Sequence, residues 1–163
     1  MAISAHFSAS DVMLDVSVKN KRDLLEVLAA KAASRLARST EEIVDALQSR
    51  EDLGSTALGK GVGLPHAELE GAVSPTMIFA RLRRPIEFDA RDAEPVDLVF
   101  LVLWPAAATK GLIEAISEIC RTLRDPEVLR RLRMAETPDE VAQFMRTPAT
   151  WETTRSPPAR EDE

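Results

Sequence analysis

The apolar positions of this chain change period as it runs, and each change marks an element. Val12, Leu14, Val16 and Val18 alternate with other residues, the two-residue period of a short strand, blurred only by Met13. From about Lys21 the period becomes helical: Leu24, Leu25, Leu28, Ala29 and Ala32 share a face. Ser39-Thr40-Glu41-Glu42 has the pattern of a capping box and opens a second helix. Ile43, Val44 and Leu47 form the inner face of that helix, which should end between Arg50 and Leu53, at Gly54. A glycine-rich stretch follows, too interrupted for a long helix, with room for short strands near Ala57 and Val62. Thr76 to Leu82 reads as a strand and Pro85 to Asp89 as a short edge segment. Val96 to Leu103 is almost continuously apolar, as a central strand covered on both faces should be.

Three helices are predicted to close the chain. The first spans about Thr109 to Leu123, with Leu112, Ile113, Ile116, Ile119, Cys120 and Leu123 on one face. Asp125-Pro126-Glu127 and Thr137-Pro138-Asp139-Glu140 then start two more, each with a capping side chain followed by proline at the first helical position. Residues 1–10 read as a flexible start, and residues 147–163, with Pro148, Pro157 and Pro158 among polar neighbours, as a disordered tail. Helices before and after a run of strands imply an α/β fold, a three-layer α/β/α sandwich.

Composition narrows the function. A length of 163 residues suits one domain. A net charge of −6 argues against general nucleic-acid binding, which needs a basic surface. Arg121, Arg124, Arg130, Arg131 and Arg133 cluster late in the chain, where they read as a solvated helix face. No apolar run approaches a membrane span and the start does not read as a signal peptide, so a cytoplasmic location without membrane insertion is expected. The single cysteine, Cys120, reads as core. With only two histidines, far apart, no metal site and no cofactor are expected.

The chemistry concentrates at His66. It ends the run Gly54-Ser55-Thr56-Ala57-Leu58-Gly59-Lys60-Gly61-Val62-Gly63-Leu64-Pro65-His66, which holds four of the six glycines. Imidazole is the side chain best suited to accept and release a phosphoryl group near neutral pH. Gly61 and Gly63 would let the backbone approach phosphoryl oxygens, and Ser55 and Thr56 offer hydroxyls. Arg50, sixteen residues before His66, is placed to fold back as a guanidinium clamp. The glycine spacing does not match a Walker loop, because Gly59-Lys60-Gly61 has no hydroxyl residue after the lysine. Nor does it match a dinucleotide fingerprint, since Pro65 stands where the helix should begin.

The combination Arg50-Glu51-Asp52-Leu53-Gly54-Ser55-Thr56 followed by Gly59-Lys60-Gly61-Val62-Gly63-Leu64-Pro65-His66 resembles the mannitol/fructose-type enzyme IIA domains of the bacterial phosphotransferase system, above all the nitrogen-regulatory member. Pro85 to Ala90, Pro95 to Phe100, Thr109-Lys110, Cys120 to Asp125 and Arg130 to Arg133 extend the likeness, so that it spans residues 11–146 as one domain. The resemblance implies a mixed β-sheet between helices. It also implies that His66 accepts a phosphoryl group from a histidine phosphocarrier protein, that Arg50 is the active-site arginine, and that Ser55, Thr56 and Gly63 line the site. Regulatory targets such as sensor kinases or potassium transporters are family-level expectations. Passage of phosphate to a sugar-specific enzyme IIB and a binding module impaired in transfer are the competing readings. One departure stands out: Leu112 occupies the position where many members carry a second active-site histidine.

Overall fold

The computed structural model describes residues 7–72 and 74–146. In chain order they form β1 (Val12–Val16), α1 (Lys21–Leu36), α2 (Thr40–Asp52), β2 (Ala57–Gly59), β3 (Val62–Gly63), β4 (His66–Leu69), β5 (Thr76–Ile86), β6 (Val96–Pro105), α3 (Thr109–Leu123), α4 (Pro126–Met134) and α5 (Pro138–Arg146). The sheet runs β1-β5-β6-β3-β2, with β4 also paired to β6. It is mixed: β1 lies parallel to β5, β3 and β4 lie parallel to β6, and β5–β6 and β2–β3 are antiparallel.

Strand β6 shows why the sheet needs helices on both sides. From Leu98 to Trp104 its side chains alternate between two cores. Leu98, Phe100, Val102 and Trp104 pack with Leu112, Ile119, Leu129, Leu132 and Val141 of α3, α4 and α5. Val99, Leu101 and Leu103 pack with Leu24, Leu25, Leu28, Ile43 and Leu47 of α1 and α2. Each such leucine or phenylalanine, fully withdrawn from water, contributes about 1.5–3 kcal/mol. The expected three-layer α/β/α sandwich is therefore the observed one.

Helix starts follow the capping chemistry. The Asn20 side chain accepts from the Asp23 N–H and Ser39 Oγ from the Glu42 N–H. Asp125 accepts from the Glu127 N–H and Thr137 Oγ1 from the Glu140 N–H. The reciprocal half of a capping box at Ser39 is not made; Glu42 turns instead toward Arg38, 3.8 Å away.

The structure corrects the sequence pattern in four places. The ordered chain starts before residue 11: Phe7 is buried against Phe100, with ring centroids 6.2 Å apart, and Ala9–Asp11 form a 3-10 turn whose Asp11 pairs with Arg35. The expected disordered tail lies outside the described residues. Strand β5 runs on through Pro85 to Ile86, so that no separate edge segment begins there. The ladder to β6 shifts between Arg81 and Ile86, and in that irregular stretch a proline removes no essential hydrogen bond. Strand β4 was not anticipated. Finally, Ile113 is 62% exposed rather than on the inner face of α3.

Strands β3 and β4 are two parts of one track along β6. Val62 lies opposite Leu98 and His66 opposite Val102, the same offset on both sides of the gap. Pro65 interrupts the track because it has no N–H, yet its carbonyl still accepts from the Val102 N–H at 3.0 Å. The register thus delivers His66 to a fixed place, with its side chain on the same sheet face as Val102.

Candidate functional site

His66 begins β4, and Arg50 comes to it from the last turn of α2. Gly54 ends that turn with φ at +149°, a conformation that side-chain-bearing residues rarely adopt, and the chain doubles back toward the sheet. Arg50 Nε lies 3.3 Å from His66 Nε2, and Arg50 Nη1 donates to the Gly54 carbonyl at 2.9 Å. On the other side of the ring, Nδ1 lies 2.8 Å from the Leu64 carbonyl.

These two neighbours fix the tautomer. A carbonyl oxygen only accepts, so Nδ1 carries the hydrogen. A guanidinium only donates, so Nε2 presents its lone pair. The ring is also held neutral. Burial pushes the His66 pKa below the ordinary histidine value; the Leu64 carbonyl opposes that shift, Arg50 adds to it, and Glu51 opposes it again. The arrangement is a neutral imidazole with one nitrogen tethered and the other nucleophilic, beside a guanidinium.

The hydroxyls of Ser55 and Thr56 have internal partners. Ser55 Oγ donates to the Phe88 carbonyl at 2.6 Å and accepts from the Ala57 N–H. Thr56 is buried; its hydroxyl donates to Glu51 Oε1 and its N–H to Glu51 Oε2. Gly61 and Gly63 likewise have local reasons to be glycine. Gly61 has φ at +81° in the β2–β3 turn, where a Cβ would lie 2.8 Å from Asp97 Oδ1. A Cβ on Gly63 would meet the Phe88 ring at 3.1 Å and Val96 at 3.3 Å. Arg50 is therefore the cationic donor that stands directly at the reactive nitrogen.

Leu112, in the first turn of α3, is 6% exposed and belongs to the core that includes Trp104. Trp104 Nε1 donates to the Ala108 carbonyl at 2.9 Å. Gly111 permits the approach of the indole to the helix, since a Cβ there would sit 2.7 Å from Trp104 Cζ2. This flank of the site is apolar and packed. Cys120 is half-buried at the edge of the same core, and its thiol pKa is raised by burial. Leu53, three residues after Arg50, is 85% exposed and Leu58 is exposed too, whereas Val62 and Leu64 are buried. Among the described residues no group of three or more histidine, cysteine or acidic side chains could hold a metal ion. No helix there is long and apolar enough to cross a membrane.

Two residues near the site were missed. Glu51 is buried and pairs with Lys21 Nζ at 2.6 Å. The signal for Glu51 was present: it sits four residues after Leu47, on the apolar stripe of α2, where a carboxylate needs a partner. Lys21 is the first residue of α1, where the helix dipole disfavours a cation unless an acid faces it.

The chain matches the family described as "Phosphoenolpyruvate-dependent sugar phosphotransferase system, EIIA 2" over residues 5–147. It is similar to a nitrogen regulatory protein of Bradyrhizobium diazoefficiens, 35% identical over 148 residues, covering 91% of this chain and 97% of that protein. It is 38% identical over 102 residues to a fructose-specific EIIA component of Haloferax volcanii, covering 63% of this chain and 66% of that protein. Among solved structures, nitrogen regulatory protein IIA-Ntr of Neisseria meningitidis superposes with a TM-score of 0.84 at 31% identity, covering 88% of this chain and 98% of that one.

Proposed function

We propose that this chain, which belongs to the phosphotransferase-system EIIA 2 family and resembles its nitrogen-regulatory members, is a cytoplasmic regulatory phosphocarrier that takes a phosphoryl group on His66. The donor is the phosphohistidine of a small histidine phosphocarrier protein. The observation that carries this reading is the pair of bonds that splits the His66 ring, Nδ1 to the Leu64 carbonyl and Nε2 to Arg50.

In the transfer, the Nε2 lone pair attacks phosphorus. The nitrogen–phosphorus bond of the donor breaks, and its electron pair leaves with the donor imidazole. The His66 ring gains positive character, which the Leu64 carbonyl stabilises through Nδ1–H. The Nε–H of Arg50 leaves Nε2 as the new bond forms and turns to a phosphoryl oxygen. Phosphoryl transfer needs little more from the protein than such positioning and charge compensation.

Regulation follows from charge. A phosphoryl group brings nearly two negative charges to a site beside the end of α2, which carries exposed Leu53. A partner that covers this site with an apolar surface must then bury a dianion, so it binds the unphosphorylated form. Partners of the sensor-kinase or potassium-transporter kind fit this switch. The second reading, onward transfer to a sugar-specific enzyme IIB, is favoured by the likeness to the fructose-specific component.

The test is incubation with phosphoenolpyruvate, enzyme I and the phosphocarrier protein, followed by intact-mass measurement. One acid-labile, base-stable phosphoryl group is expected, lost in His66→Ala. No mass gain in the native chain would leave a transfer-impaired binding module. Full labelling of His66→Ala would reject the site. Rapid transfer onward to an enzyme IIB domain would favour the transport reading.

A further inference from the structure

We infer that Glu51 and Lys21 are positioning residues that hold Arg50 at the reactive nitrogen of His66. The inference rests on the phosphoacceptor reading of His66. Its geometry is independent of that reading.

A helix end ordinarily frays, because its last carbonyls have no intrahelical partners. Arg50 sits in the last turn of α2, two residues before the end. A long side chain on a fraying turn would hold no fixed place. Here the next residue is anchored. The Glu51 carboxylate takes Lys21 Nζ at 2.6 Å and the Thr56 N–H at 3.2 Å on Oε2, and the Thr56 hydroxyl on Oε1. Lys21 is anchored in turn. Its Nζ lies 4.3 Å from the centre of the Phe88 ring and 3.5 Å from the Phe88 carbonyl. That same carbonyl receives the Ser55 hydroxyl.

Four segments therefore meet at one buried carboxylate and one backbone oxygen: the start of α1, the end of α2, the loop from Ser55 to Thr56, and the connection after β5. Successive helix residues point about 100° apart. With Glu51 fixed inward, Arg50 is directed sideways, where its Nε reaches His66. The Glu51 side-chain conformation and the Arg50 backbone position are thus set together. The Glu51 charge also registers at His66, opposing the effect of Arg50 on the ring.

A purely structural role would show differently from a positioning role. A buried ion pair replaced by apolar residues of similar volume often leaves stability unchanged or raised. Lys21→Met/Glu51→Leu is therefore expected to fold. Two measurements on the full chain follow. The first is solvent exchange of the Arg50 Nε–H, read by nitrogen-15 NMR without any phosphate. The second is the rate of His66 phosphorylation by phosphoramidate and by the phosphorylated phosphocarrier. In the double variant the Arg50 Nε–H is expected to exchange at least tenfold faster, and phosphorylation to slow by about tenfold, in a protein that still unfolds cooperatively, its melting temperature lowered by the buried Thr56 donors left without Glu51.

Thr56→Val supplies a second variant, because it removes one hydroxyl and no charge. It should move the exchange rate in the same direction by a smaller factor, and Thr56→Ser, which keeps the hydroxyl, should restore it. Native exchange of the Arg50 Nε–H in the folded double variant, or in Thr56→Val if the double variant does not fold, would overturn the inference. Failure of the native chain to accept phosphate from either donor would instead defeat the phosphocarrier reading, and the exchange measurement would still decide the positioning role.

Discussion

Replacing Arg50 with alanine separates two effects that the structure superimposes at one nitrogen. In the resting site the guanidinium donates to His66 Nε2, so its removal frees the nucleophile. On the proposed reading it donates to a phosphoryl oxygen in the transition state, so its removal leaves charge uncompensated. A charge-assisted hydrogen bond contributes about 1.5–3 kcal/mol. The resting contact, at 3.3 Å, is long for such a bond and offsets only part of that. The net expectation is a slowing of roughly ten- to a hundredfold. A pH effect is added. Arg50 is one of the causes that lower the His66 pKa, so its removal raises that pKa. At pH 8.5 the ring is neutral in both proteins and the deficit reports the clamp alone. As pH falls, the variant protonates first and the deficit widens. Arg50→Lys keeps the charge without the forked geometry and should show the clamp loss with a smaller pH component. The assay is single-turnover transfer from phosphorylated phosphocarrier, quenched in alkali and read by intact mass, across pH 6 to 8.5. Stability should fall by about 1 kcal/mol at most, since water can replace Arg50 at the exposed Gly54 carbonyl. A folded Arg50→Ala protein that transfers at or above the native rate at pH 8.5 would refute the clamp.

Gly63→Ala should destabilise the fold by about 1–3 kcal/mol, because its Cβ would stand 3.1 Å from the Phe88 ring and 3.3 Å from Val96; an unchanged urea midpoint would show that these neighbours yield freely. Leu112→His should cost about 1–3 kcal/mol, since it buries an imidazole in the packed core that includes Trp104, and native stability in the variant would show room for a second histidine. The pKa of His66 in the folded chain lies below its unfolded value, so the unfolded state takes up the proton first. Stability from this source is complete above about pH 6.5 and is lost as pH falls through the folded pKa. The unfolding free energy of His66→Gln should accordingly fall less steeply with acid over that range, and parallel curves would contradict the shift.

What could be read in the sequence depended on how many residues share one environment. Strand β6 was legible because ten successive residues, Val96–Pro105, lie between two helix layers, and nearly all are apolar. Ser39, Asp125 and Thr137 were legible because capping is a local bond between residues two or three apart. Strand β4 has four residues, of which only Ala67 and Leu69 face a core, too few to set a period. Phe7 gave no signal because its packing partner, Phe100, is far away in the chain. At the site, Arg50 was expected to fold back onto His66, and its Nε lies 3.3 Å from His66 Nε2. The glycine run also suggested that Ser55, Thr56, Gly61 and Gly63 surround an oxygen-rich ligand. Each has a bond or a close approach within the fold that the linear order could not show, because Phe88, Glu51 and Asp97 lie in other elements.

The nucleophilic nitrogen of His66 can be traced to the place where β2 stops. Along an extended chain successive carbonyls point to opposite edges. The Pro65 carbonyl points to β6 and accepts from Val102, so the Leu64 carbonyl points the other way. On that side β2 covers Gly63 and Val62, but its pairing with β3 goes no further than Ala57 opposite Gly63. The Leu64 N–H still finds the Thr56 carbonyl at 3.0 Å, whereas the Leu64 carbonyl lies past the strand end. An unpaired edge carbonyl is usually a liability. Here the His66 ring folds back two residues to cap it, and that bond places the imidazole hydrogen on Nδ1. Nε2 is left to face Arg50. Where the three-residue strand Ala57–Gly59 begins thus decides which nitrogen of His66 keeps its lone pair. With apolar Leu112 packed in the core that includes Trp104, that choice falls to the backbone and one arginine.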